Sequence, residues 1–131
     1  MKKRMTAIML ALSLILLAFP VHVQARYLNV SSIDTSLKYN GAIATCAADV
    51  VGVTGTTKIT ITLSIQKKES DGSYTTIKEW LPESVNSDMF YLSKAYAVLS
   101  GNSYRTYVVA EVTRNGITET VTSYSGTVKC P

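Results

Sequence analysis

The sequence predicts an all-β protein, a seven-stranded antiparallel sandwich, on three observations. Lys58 to Lys67 (KITITLSIQK) alternates polar and apolar residues without a break, the period of a strand with one buried and one wet face. Turn-forming residues divide the chain at intervals of roughly 8–12 residues, the spacing of a sandwich. Thr, Ser, Tyr, Val and Ile dominate between the turns, and these residue types fit a pleated, half-buried surface better than a helix.

The first element is not a strand. Lys2, Lys3 and Arg4 precede an apolar run from Met5 to Phe19, and Val23-Gln24-Ala25 follows. A basic start, a short apolar stretch and small residues before a cleavage point make a secretory signal peptide, residues 1–25,. An uncleaved anchor is the alternative, but crossing the hydrocarbon core takes about 20 apolar residues, and Pro20 and His22 break this run early. No cysteine follows the apolar run, so lipoprotein processing is not expected. The expected compartment is extracellular or the cell envelope, with no membrane insertion after cleavage.

Cleavage leaves a domain of residues 26–131, a size suited to one hydrophobic core,. The whole chain has 13 Lys and Arg against 9 Asp and Glu. Three of the bases lie in the signal peptide and all the acids lie outside it, so the remaining domain carries a net charge near +1. That balance argues against a nucleic-acid partner. The cut also removes His22, the sole histidine, and with it any Ser-His-Asp, Cys-His or His-bearing zinc site. No cofactor motif remains, and no enzyme activity is expected.

The strands follow in order as Tyr27 to Lys38, Ala42 to Val51, Thr57 to Lys68, Tyr74 to Leu81, Met89 to Val98, Tyr104 to Arg114 and Ile117 to Val128. Between them lie Asn40-Gly41, Gly52 with Gly55, Asp71-Gly72, Pro82 through Asp88, Ser100-Gly101-Asn102 and Asn115-Gly116,. Asn115-Gly116 is the sharpest signal, because both residues tolerate the positive φ of a two-residue type I′ hairpin.

Cys46 and Cys130 are the two cysteines. In an exported protein they predict an intramolecular disulfide, with free thiols or an intermolecular bond as alternatives. Closing so long a loop would stabilise the fold by about 4 kcal/mol in the chain-entropy account. Ala44, Cys46, Ala48 and Val50 share one strand face, the expected core side, so Cys130 has to fold inward over the open end of the sandwich to reach Cys46.

Val98-Leu99-Ser100-Gly101-Asn102-Ser103-Tyr104-Arg105 resembles the entry to strand F of fibronectin type III and immunoglobulin-like domains. The resemblance implies a tyrosine corner at Tyr104, with the hydroxyl bonded back to the corner backbone. It also places Thr106 where immunoglobulin domains carry their second cysteine, so that pattern is absent. Across the mature chain, the sequence resembles small secreted proteins of Gram-positive bacteria that carry no assigned activity. The shared features are Ala44-Thr45-Cys46, the Thr56 to Ile61 strand (TTKITI) followed by Gln66-Lys67-Lys68, Trp80, Tyr104-Arg105 and the terminal Cys130. The resemblance implies a fold and a compartment and no chemistry.

The remaining motifs read as structure. Gly52 to Lys58 is superficially like a phosphate loop but lacks the Walker spacing and the following helix, so a strand connection is expected. Leu81-Pro82-Glu83-Ser84 lacks the threonine, glycine and apolar tail of a sorting signal and reads as a turn. Trp80 is expected to cover an edge of the core rather than to serve as a sugar platform. Glu111 and Glu119 flank the Asn115-Gly116 turn and are the one acid pair worth checking for glycosidase spacing.

If the alternation holds, Thr60, Thr62, Ser64, Arg105, Tyr107, Thr118, Thr120, Thr122 and Tyr124 gather on one solvent-facing surface. Arg105, Tyr107, Thr120, Thr122 and Tyr124 are the candidate binding face, since Tyr and Thr make adaptable polar contacts. A solvated sheet of good strand formers is the plainer account. The functional expectation is a secreted, non-enzymatic binding module for a protein or carbohydrate. The alternative is a structural component of the envelope or of an extracellular assembly.

Overall fold

The computed structural model describes residues 27–131; the expected signal peptide lies outside them. The described residues contain strands and turns and no helix. The strands are β1 (Val30–Asn40), β2 (Ile43–Gly52), β3 (Thr56–Lys68), β4 (Tyr74–Glu79), β5 (Glu83–Val85), β6 (Met89–Ala97), β7 (Ser103–Arg114), β8 (Ile117–Tyr124) and β9 (Val128–Lys129). They build two antiparallel sheets, one in the order β1-β2-β6 and one in the order β4-β3-β7-β8, with β5 also on β3 and β9 on β7. The fold is all-β and sandwich-like.

Nine strands replace the expected seven, and the two additions are short. Pro82 has no N–H to give to a ladder, so the fourth expected strand stops at Glu79, and after three intervening residues the chain rejoins β3 through Glu83–Val85. The expected turn at Leu81 to Ser84 thus runs into a strand. Likewise, the last expected strand ends at Tyr124, and Val128–Lys129 pairs with the opposite end of β7 as β9.

The core follows the alternation. Ile59, Ile61, Leu63 and Ile65 of β3 and Tyr104, Thr106, Val108, Ala110 and Val112 of β7 point inward and are all buried. Burying each aliphatic side chain of this size is worth about 1.5–3 kcal/mol. Facing them, β2 supplies the smaller Ala44, Cys46, Ala48 and Val50, so large and small side chains interdigitate. The interior forms two clusters, one around Ile59, Ile61 and Val112 and one around Leu37, Ile65 and Tyr104. Trp80 packs partly buried against both, edge-on to Tyr96 at 6.2 Å between ring centroids.

Turn chemistry closes the strand ends. Asn115 and Gly116 have φ of 53° and 74°, and Arg114 pairs directly with Ile117, as a two-residue hairpin requires,. Between β2 and β3, the Thr56 hydroxyl donates to the Val53 carbonyl at 2.7 Å and its side chain lies tight over Gly52. The loop begins a strand and not a helix.

The beginning of the described chain is held by one carboxylate. The backbone N–H groups of Leu28 and Asn29 donate to Glu119 Oε2 and Oε1 at 2.8 and 2.9 Å, and Asn29 Nδ2 donates to the carbonyls of Val112 and Ile117. Desolvation pushes the Glu119 carboxyl up, but the N–H groups of Leu28, Asn29 and Val30 outweigh it and hold the group below its ordinary value of 4.5,. A depressed carboxyl stabilises the folded state above that ordinary value and loses the contribution as pH falls through the folded one. The protection of the Leu28 and Asn29 amides against hydrogen exchange, taken relative to the intrinsic rate at each pH, should therefore fall as the solution is acidified below about pH 4.5,. Glu119→Gln should remove that pH dependence; an unchanged acid response in the variant would place the effect elsewhere.

The far end of the chain folds over the opposite opening. Gly101 N–H donates to the Cys130 carbonyl and Cys130 N–H to the Asn102 carbonyl, Tyr39 and Ser100 donate their hydroxyls to the carbonyls of Val128 and Pro131, and Tyr74 and Thr127 share a hydrogen bond at 2.7 Å. Cys130 is fully buried in the same cluster as Cys46. The expected Cys46–Cys130 disulfide is nevertheless absent, and both thiols are free. Cys46 lies mid-strand, opposite Leu37 and Lys94, and hydrogen-bonds to Thr106. Cys130 Sγ instead faces the Gly41 carbonyl at the hairpin mouth, 3.8 Å away. Burial pushes the Cys46 thiol up, with the Thr106 hydrogen bond acting against it. Burial, with Cys130, Tyr104 and Cys46 adding to it, lifts the Tyr39 hydroxyl to about 12.

Candidate binding face of the larger sheet

Register places the expected surface residues together. β7 pairs with β3 so that Gln66 meets Arg105, Ser64 meets Tyr107, Thr62 meets Val109 and Thr60 meets Glu111. On its other side β7 pairs with β8 so that Tyr107 meets Tyr124, Val109 meets Thr122, Glu111 meets Thr120 and Thr113 meets Thr118. Because the alternate β7 residues from Tyr104 to Val112 fill the core, every member of these pairs shares the outer face. All nine residues read from the sequence lie on it. Ser64 is itself covered, 2% exposed, and Ser84 shares a hydrogen bond with Thr60 at 2.6 Å.

Arg105 is the centre of this surface. Its guanidinium carbon lies 3.4 Å from the Tyr74 ring centroid and 4.0 Å from that of Tyr124, close enough for strong cation–π attraction to both. Tyr124 stacks in turn on Tyr107, with centroids 4.8 Å apart and planes 23° from parallel. One ring face cannot take both neighbours, so the order across the sheet is Tyr107, Tyr124, Arg105, Tyr74. Gln66 fixes the guanidinium in its plane by accepting from Nε at 2.8 Å.

Tyr74 and Gln66 were not among the surface residues read from the sequence. Gln66 carried a signal, since it continues the even-numbered polar face of the KITITLSIQK alternation. Tyr74 did not, because its position depends on an irregularity in the β3–β4 pairing between Ile65 and Gln66.

The other candidates separate. Glu111 pairs with Thr120 and Glu119 with Val112, so the two carboxylates point to opposite sides of the sheet and form no acid pair. Tyr104 is buried, 2% exposed, and its hydroxyl accepts from Leu99 N–H at 3.1 Å and donates to the Leu99 carbonyl at 3.3 Å. Thr106, at the position of the second immunoglobulin cysteine, donates to the Ser36 carbonyl at 2.9 Å and so ties the two sheets. No group of three metal-ligating side chains occurs among the described residues, and these residues form no helix long and apolar enough to cross a membrane.

No family model matches the chain, and no curated protein does either. Solved structures show distant likeness. The solution structure of R. palustris CsgH aligns with a TM-score of 0.42 at 13% identity, over 70% of this chain and 88% of that one. The sporulation control protein Spo0M of Bacillus subtilis aligns with a TM-score of 0.41 at 12% identity, over 74% of this chain and 48% of that one. The β-glucuronidase of Parabacteroides merdae aligns with a TM-score of 0.42 at 12% identity, over 77% of this chain and 13% of that one.

Proposed function

We propose that this is a secreted, non-enzymatic binding module of the immunoglobulin and fibronectin type III kind, which captures a protein or carbohydrate on the outer face of its larger sheet. The observation that carries the reading is the Tyr107, Tyr124, Arg105, Tyr74 stack. A solvated sheet needs no ordered cation between two rings, whereas a binding surface gains from rigid aromatic and guanidinium groups that lose little freedom on contact. The N-terminal signal pattern and the Tyr104 hydroxyl bonded to the Leu99 backbone support the compartment and the fold type.

Tyr107→Ala combined with Tyr124→Ala should reduce partner capture at least tenfold while shifting the thermal midpoint only a few degrees, since both rings sit on the outer face. Full retention of binding by the double variant would remove this face from consideration.

A second reading, as a structural component of the envelope or an extracellular assembly, draws on β6. That strand ends the smaller sheet with one side unpaired, and Met89 and Tyr91 on it are 58% and 64% exposed,. Size-exclusion of the exported protein separates the readings: this one requires oligomers, the first does not.

A further inference from the structure

We infer that the face recognises a saccharide bearing an isolated carboxylate, with Arg105 as the residue that reads it; this rests on the binding-module reading above.

Arg105 is held flat by Tyr74 and Tyr124 and by Gln66 at Nε. Its terminal amino groups have no hydrogen-bond partner among the described residues, and the ion pair found among them is that of Lys94 with Glu83. The pinned guanidinium thus keeps a planar pair of donors for a ligand, and that fork matches the two oxygens of a carboxylate. Its orientation is fixed in advance, so binding costs little side-chain freedom.

The surroundings select the rest of the ligand. Thr62, Thr120, Thr122, Tyr107 and Tyr124 present hydroxyls that make no hydrogen bond within the described residues, and Val109 is the one aliphatic side chain in these rows. A protein partner would use the same Tyr and Arg anchors; what favours a sugar chain is the number of unpaired hydroxyls around them. A polyhydroxylated chain meets it with complementary donors and acceptors. Glu111, six residues along β7 and about 20 Å from Arg105, adds negative charge at the other end of the face, and Glu79 lies in the row of Ser64. Lys58 and Lys68, at the two ends of the same face, offset these acids, so what the face selects is set by its one guanidinium fork, which takes one carboxylate.

The test is calorimetric titration of the purified protein with sialyllactose and with a xylotriose bearing a single glucuronate, each beside its carboxyl-reduced alcohol. At least one acidic sugar should bind, and its reduced form should bind at least tenfold more weakly. Arg105→Lys keeps the charge and the alkyl stem but not the fork, and should lose at least tenfold; a thermal melt confirms that the variant folds. Lys94→Ala, away from the face, should bind as the parent does. Equal binding of acidic and reduced forms, sensitive to Tyr124→Ala, would leave the saccharide face standing and overturn the carboxylate assignment. Tighter binding of hexaglutamate or of a glycerol-phosphate oligomer than of either sugar would overturn the saccharide. No binding of either acidic sugar overturns this inference. Partner capture that survives Tyr107→Ala with Tyr124→Ala overturns the reading beneath it as well.

Discussion

Replacing Tyr104 with Ala should destabilise the fold by about 3–5 kcal/mol, the cost of truncating a buried aromatic ring and leaving a cavity. The ring fills the end cluster with Leu37, Cys46, Ile65 and Cys130. Its hydroxyl is also the partner of Leu99 N–H and of the Leu99 carbonyl, and it accepts from Asn102 Nδ2 at 3.3 Å. Tyr104→Phe isolates that second contribution. It should cost about 1–2 kcal/mol, because the Leu99 groups lose their partner in a part-buried corner. Urea unfolding followed by Trp80 fluorescence measures both. A loss near zero for Phe would mean that the loop from Val98 to Asn102 is held by the tail alone.

Gly52→Ala should cost about 1–3 kcal/mol, the usual range for overpacking. The added β-carbon would stand 2.7 Å from both Cβ and Cγ2 of Thr56. Thr56 cannot swing aside, being β-branched, 8% exposed and tied by its hydroxyl to Val53,. Gly41→Ala is the instructive comparison. Nothing lies within 4 Å of a β-carbon there, but φ is +59°, so its cost of about 1 kcal/mol comes from the backbone alone. A midpoint shift in urea with an unchanged slope would show that both act on stability and not on the denatured ensemble. Equal costs at the two positions would show that the β2–β3 loop relaxes around the new atom.

The strands legible in the sequence were those whose pattern is local. Period two in β3 and the Asn115-Gly116 turn between β7 and β8 are each decided within a few residues, and the outer face followed from them. What was not legible depended on partners far along the chain. β9 exists because the tail meets Ser103 and Tyr104, and β5 because β3 is long enough to pair two successive segments. Alternation placed Cys46 on the core side, but the pairing was read from compartment and count, which say nothing of how far apart the two sulfurs come to rest. Cys46 meets Thr106, and Cys130 stops at the Gly41 carbonyl. Arg105 was found without its clamp, since Tyr74 reaches it only through an irregular register.

The two fastenings sit at opposite poles. Asn29 is bonded beside the β7–β8 turn, at the Ile117 carbonyl, while Cys130 is bonded beside the start of β7, at the Asn102 carbonyl. β1 runs the distance between them, 11 residues or roughly 36 Å. A pull applied between Leu28 and Pro131 therefore acts along the strands, at right angles to their hydrogen bonds. The β1–β2 ladder would bear the load in shear, many bonds at once, instead of unzipping one by one. A module held at one pole and pulled from the other would resist force far better than one drawn apart from a single end.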